Sequence, residues 1–229
     1  MIIAVIEDSR TTRAPSLLAP DQMAATTPIA LEHPLSPEDR ARRDFYALLA
    51  RLYGDVPDAA LLRAIGDAPP IEADTLFAAA WNRLVAASGV MDASAAAQEY
   101  TDLFIGVGKS EVNLHASHWL TGFMVERPLA ELRTDLAALR LARRDDATML
   151  EDHLSALCET MCLLIAGDHD RKPAPVATQR AFFQGHIAGW VFACCDAIRE
   201  SPIANYYARV AEFTTQHMAL DRDALAMDE

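Results

Sequence analysis

Glu151-Asp152-His153 places two carboxylates and an imidazole at consecutive positions. Carboxylates accept charge-assisted hydrogen bonds from guanidinium and backbone N–H groups, and an imidazole can donate or accept according to pH. His115 and His118 lie upstream and could join Glu151 or Asp152 around zinc or iron. Their spacing contains neither His-Glu-x-x-His nor the Glu-x-x-His pairs of di-iron bundles, which favours an adventitious collection of histidines. Gly106-Val107-Gly108-Lys109-Ser110 resembles part of a phosphate loop, yet Leu103 stands where the frame needs its first glycine. Cys158, Cys162, Cys194 and Cys195 form no Cys-x-x-Cys and read as reduced core residues.

The elements that must position these groups are helical. Ser36-Pro37-Glu38-Asp39 supplies a hydroxyl cap, a proline at the first helical position and acids at the positive dipole end. Phe45, Leu48, Leu49 and Leu52 follow on one face, and Gly54 to Pro57 break the helix. Further helices are expected over Ala59 to Ile65 and Glu72 to Ala87, the latter with a stripe of Leu76, Phe77, Trp81 and Leu84. Asp92 or Ser94 caps a helix carrying Tyr100, Leu103 and Phe104, which ends at Gly106. Residues 105 to about 116 form a long loop, and helices resume near Trp119 and over Leu129 to Leu141. A wide apolar stripe from Ala147 to Ile165 marks a central helix with the triplet near its start, where consecutive side chains lie about 100° apart and cannot share one face. After a polar link at Gly167 to Pro175, one helix holds Phe183 to Cys194 and another holds Tyr206, Val210 and Phe213.

The hydrophobic fraction of 52% with only 9 Gly favours helix over strand across the 229 residues. The expected class is all-α, a single-domain helical bundle over 36–229 preceded by a flexible N-terminal arm over 1–35. Met1 to Ile6 is the clearest strand-like run, too short for a signal-peptide core and lacking a basic segment before it. No run approaches the roughly 20 apolar residues that cross a bilayer, so a soluble protein without membrane insertion is expected. A net charge of -13 opposes binding to nucleic acid and suits a basic peptide. The acidic ends, Asp221-Arg222-Asp223 and Asp228-Glu229, give little support to a helical transcriptional regulator.

Taken in order, Glu99-Tyr100-Thr101-Asp102-Leu103-Phe104-Ile105-Gly106-Val107-Gly108, Ala116-Ser117-His118-Trp119 and Glu151-Asp152-His153 resemble the TorD/DmsD/NarJ group of redox-enzyme maturation chaperones. Phe182 or Phe183, His186, Trp190 and Asn205-Tyr206-Tyr207 are similar to that group's later segments. Val107 stands where a proline is common in the group, and His115 where an aromatic residue is usual. The resemblance implies a TorD-like bundle that binds the twin-arginine signal peptide of a molybdenum-cofactor oxidoreductase and delays export until the cofactor is inserted. It implies a cytoplasmic protein, a monomer or a domain-exchanged dimer, with no catalytic residue and no cofactor of its own.

The paired arginines and apolar segment of such a peptide call for carboxylates beside an apolar groove. On that expectation Glu151 or Asp152 faces the guanidinium groups and His153 orients a carboxylate or peptide carbonyl. Tyr100, Phe104 and Trp119 contribute to the wall, with Gly106, His115 and Ser117 in the same peptide-binding set. The alternative is a metal-dependent helical-bundle enzyme built on His115, His118 and His153.

Overall fold

A computed structural model describes residues 2–5, 35–106, 108–168 and 171–227. In chain order the described elements are β1 (Ile3–Val5), α1 (Pro37–Gly54), α2 (Ala59–Gly66), α3 (Leu76–Val90), α4 (Ala93–Tyr100) continued by a π-helical turn (Thr101–Ile105), α5 (Ala116–Thr121), α6 (Arg127–Ala138), β2 (Leu141–Arg143), α7 (Leu154–Ala166), α8 (Val176–His186), α9 (Val191–Glu200) and α10 (Tyr206–Met227). The all-α class holds, with one addition, because β1 and β2 form a small antiparallel pair.

The helix starts follow their side-chain caps. Ser36 Oγ accepts from the Asp39 N–H, Asp58 caps α2 through the Leu61 N–H, and Asp92 accepts from Ser94 and Ala95. Asp92 is therefore the cap of α4, and Ser94 already lies inside it. The α3 helix begins later than Glu72 because Thr75 accepts from the Ala78 N–H, which leaves Leu76 exposed at the first position instead of in the stripe.

The core is held by α1, α7 and α10. Leu49, Leu52 and Tyr53 of α1, Leu157, Cys158 and Met161 of α7, and Tyr207, Val210 and Phe213 of α10 are buried. Burying an aliphatic or aromatic side chain of this size contributes about 1.5–3 kcal/mol. The α1–α7 approach is close enough that a Cβ on Gly54 would lie 2.6 Å from Ser155 Oγ. Ser155 Oγ instead donates to the Ala50 carbonyl at 2.7 Å. Tyr100, Tyr53, Phe104 and Tyr207 form an aromatic cluster beside this core.

Four further expectations change. The helix placed over Leu129 to Leu141 stops at Ala138, Arg140 takes φ 55, and Leu141–Arg143 becomes β2. The central helix starts at Leu154, so the triplet precedes it and Leu150 falls in helical phase without being helical. The single helix expected through Phe183 and Cys194 is two, α8 and α9, bent by 52° at residues 187–190. Residues 2–5 of the expected arm belong to the fold, with Ile3 fully buried. Residue 1 and residues 6–34 of that arm lie outside the described residues.

Candidate functional site

Asp152 and His153 are the reciprocal caps of two helices. The Ala116 N–H donates to the Asp152 carbonyl at 2.9 Å, and the Ser117 N–H donates to Asp152 Oδ2 at 3.0 Å. Both donors open α5, whose own cap position, His115, offers no side-chain bond. His153 starts α7, its Nδ1 accepting from the Ser155 N–H at 3.2 Å. A short backbone bridge joins His115 to His153, and the Leu154 N–H donates to the Leu114 carbonyl at 2.8 Å. The arrangement satisfies helix-end N–H groups that would otherwise be orphaned in the interior.

This junction is closed. Asp152 is 1% exposed and Ser117 is fully buried. Asp152 Oδ1 and Ser117 Oγ are buried without a hydrogen-bond partner. Burial and the neighbouring His115 push His153 down to about 3, and burial with His118 lowers His115 despite the opposing field of Asp152. Both imidazoles are neutral at neutral pH, and the role of His153 Nδ1 as acceptor puts that ring's proton on Nε2. Their ring centroids lie 4.9 Å apart at 78°. Trp119 Nε1 donates to the Asn113 carbonyl at 2.7 Å, while Asn113 Oδ1 accepts from the His115 N–H at 2.8 Å.

Glu151 is already paired. Arg133 Nε and Nη2 donate to its two oxygens at 3.0 Å each, and Arg143 stands 3.8 Å away. Burial raises the Glu151 carboxyl, but its bonds to Arg133 outweigh this and hold it below the usual range. The guanidinium expected from a peptide is thus supplied by the protein. Tyr100 and Phe104 belong to the aromatic cluster: Tyr100 is buried, Phe104 is half-buried, and the Tyr100 hydroxyl donates to the Tyr53 carbonyl at 3.1 Å. Gly106 closes the preceding segment at φ 63, where a Cβ would sit 2.1 Å from the Lys109 carbonyl oxygen. Of the expected set, the structure brings together Asp152, His153, His115, Ser117 and Trp119, whereas Tyr100, Phe104 and Gly106 serve another part of the fold.

A cavity of about 510 Å³ opens between α1 and α7. Ala47, Ala50, Val56, Leu61 and Leu163 give it apolar walls, and Asp55, Asp58 and Glu159 bring carboxylates to it. One oxygen of Asp55 accepts from the Val56 N–H and one of Asp58 from the Leu61 N–H. The other Asp58 oxygen is 3.8 Å from Arg51, an exposed and loose pair. Ser155, two residues after His153, lines the same cavity. Cys162 also lines it, but burial pushes its thiol up to about 12, which suppresses thiolate chemistry.

A sequence model described as nitrate reductase delta subunit matches residues 72–196. This chain belongs to that family. It is the NarJ/TorD-type family of redox-enzyme maturation chaperones, the group anticipated from the motifs. A crystal structure from Archaeoglobus fulgidus, described as a proposed redox enzyme maturation protein, is similar in fold, with TM-score 0.51 and 16% identity over 80% of this chain and 93% of that one. No curated protein sequence matches.

Among the described residues, the delta-subunit-family chain holds no group of three His, Cys, Asp or Glu side chains arranged for a metal ion. No single described helix is long and apolar enough to cross a membrane. The delta-family motif Glu99-Tyr100 has a structural meaning that sequence reasoning missed. Buried Glu99 accepts from the N–H groups of Asn205, Tyr206 and Tyr207 at 2.7, 3.0 and 2.7 Å, capping the 22-residue α10. The signal was available as an acid paired with Asn205-Tyr206-Tyr207, but they are separated by more than a hundred residues.

Proposed function

We propose that this maturation chaperone binds the twin-arginine signal peptide of a molybdenum-cofactor oxidoreductase in the cavity between α1 and α7, in the cytoplasm, and holds back export until cofactor insertion and folding are complete. The observation that carries this reading is the pairing of apolar walls with the exposed carboxylates of Asp55 and Asp58 in one groove. Apolar surface suits the peptide's hydrophobic segment, and carboxylates suit its guanidinium groups. The acidity of the chain favours encounter with a basic peptide. Asp152 and His153 act on the peptide indirectly: His153 fixes the first turn of α7, which places Ser155 and Glu159 on the groove wall, and Asp152 ties that turn to the start of α5. The role needs no covalent step from the chaperone.

The test is a titration of a fluorescent peptide carrying two consecutive arginines and an apolar segment. Replacing Asp55 and Asp58 together by Asn removes two acceptors of charge-assisted bonds, each contributing up to about 1.5–3 kcal/mol and less where exposed. The expected loss is about tenfold or more in affinity at low salt, shrinking as salt rises. A peptide that binds the Asp55→Asn/Asp58→Asn protein as tightly as the parent would exclude this groove.

A further inference from the structure

The groove ends on the chain's own N-terminal segment. Ile2 forms part of its wall. Residues 3–5 pair antiparallel with β2 in the register Ile3 with Arg143, Ala4 with Ala142 and Val5 with Leu141. The Arg144 N–H donates to the Ile2 carbonyl at 2.8 Å. On the other edge, the Glu159 carboxylate accepts from the backbone N–H groups of Ile2 and Ile3, the latter at 3.1 Å. A carboxylate that lines a peptide-sized groove is therefore spent on the main chain of a short apolar strand. The side-chain anchor is Ile3, fully buried, while Ile2, Ala4 and Val5 remain half-buried.

Recognition of this kind is tolerant of sequence. A strand edge reads the backbone, and selectivity comes from a few alternating side-chain pockets. The slot asks for an extended apolar segment with one residue able to fill the Ile3 position. The hydrophobic part of a signal peptide has that chemistry, and Ile2-Ile3-Ala4-Val5 is a short version of it.

We propose that residues 2–5 are a built-in competitor: as an added strand on β2 they fill the slot that the backbone of the client's apolar segment takes, and the client displaces them. This rests on the α1–α7 cavity being the signal-peptide site. It adds a gate, since only a peptide that outcompetes the chain's own strand is retained. The apparent affinity is reduced by the fraction of molecules whose slot is open.

The experiment uses the full chain carrying Ile3→Asp, which expels the buried anchor, or Ala4→Pro, which removes a ladder donor, with Ile3→Val as the conservative control. Two fluorescent probes are titrated: the twin-arginine peptide, and a synthetic peptide of residues 1–6 of this chain. Far-ultraviolet circular dichroism confirms that each variant keeps its helices. The expected result is tighter twin-arginine binding by Ile3→Asp and Ala4→Pro, about tenfold if the strand fills the slot about nine-tenths of the time. Ile3→Val stays at the parent value, and the residue 1–6 peptide binds Ile3→Asp and competes with the twin-arginine probe. Equal twin-arginine binding by parent and variants overturns the competitor while leaving the groove reading in place. A residue 1–6 peptide that binds Ile3→Asp, beside a twin-arginine probe that binds neither protein, overturns both.

Discussion

Two parts of this molecule gather carboxylates and use them differently, the one burying them and the other leaving Asp55 and Asp58 exposed. At the junction of α5 and α7, Asp152 caps one helix, His153 caps the next, and Glu151 is neutralised by Arg133. At the cavity between α1 and α7, Asp55 commits one oxygen to the Val56 N–H, Asp58 commits one to the Leu61 N–H and holds the other 3.8 Å from Arg51, and all three side chains line an open groove. The first arrangement is closed and paired within the fold except at Asp152 Oδ1 and Ser117 Oγ, and the second is open to solvent. Residues that stand out most in the sequence can therefore be those that build the frame, while the residues that meet the partner look like ordinary helix caps.

The comparison predicts a clean division between stability and binding. The largest stability effect is expected at Glu99, which serves three backbone N–H groups at the start of α10. Glu99→Gln should cost about 2–4 kcal/mol in urea unfolding, since the amide can no longer accept equally from all three. Acidification should come next. His153 and His217 are held by burial at about 3 and about 4, below the 6.5 of an unfolded chain. The unfolded state takes up these protons first, so stability is full above pH 6.5 and falls as the pH drops toward 4, by on the order of 2 kcal/mol per imidazole at pH 5. Urea midpoints at pH 7 and pH 5 measure it, and His153→Gln should remove part of the slope.

Smaller effects sharpen the contrast. Asp152→Ala removes the remote cap of α5 and should cost about 1–2 kcal/mol, with peptide affinity of the folded protein shifted by less than about threefold. Arg133→Ala should cost about 1 kcal/mol by leaving Glu151 without its bidentate partner, read as a shift in thermal midpoint. A tenfold or larger loss of peptide binding by Asp152→Ala, with unchanged stability, would break the distinction between frame and groove.

Much of the frame was legible because its signals are local. Ser36, Asp58 and Asp92 act within three residues of themselves, and each helix they begin stands where the pattern places it. The start of α7 was hidden because Leu150 sits in helical phase with Leu154 and Leu157 although residues 150–153 form a turn and bridge. The pairing of Ile3–Val5 with Leu141–Arg143 was illegible for another reason: each strand is three residues long and its partner is far away in sequence. The family was readable from the order of its motifs. Their roles were not, since the resemblance pointed Asp152 and His153 toward a peptide while the fold turns the Asp152 side chain onto the α5 backbone. Asp55 and Asp58 carried no sequence signal beyond helix termination and capping.

The most direct measurement compares one twin-arginine peptide titrated against the parent chain, Asp55→Asn/Asp58→Asn and Asp152→Ala, each with its urea midpoint. The groove variant is expected to lose about tenfold or more in affinity at near-parent stability, while Asp152→Ala loses stability and keeps most of its affinity. Parent-like binding by the groove variant together with abolished binding by folded Asp152→Ala would contradict this expectation.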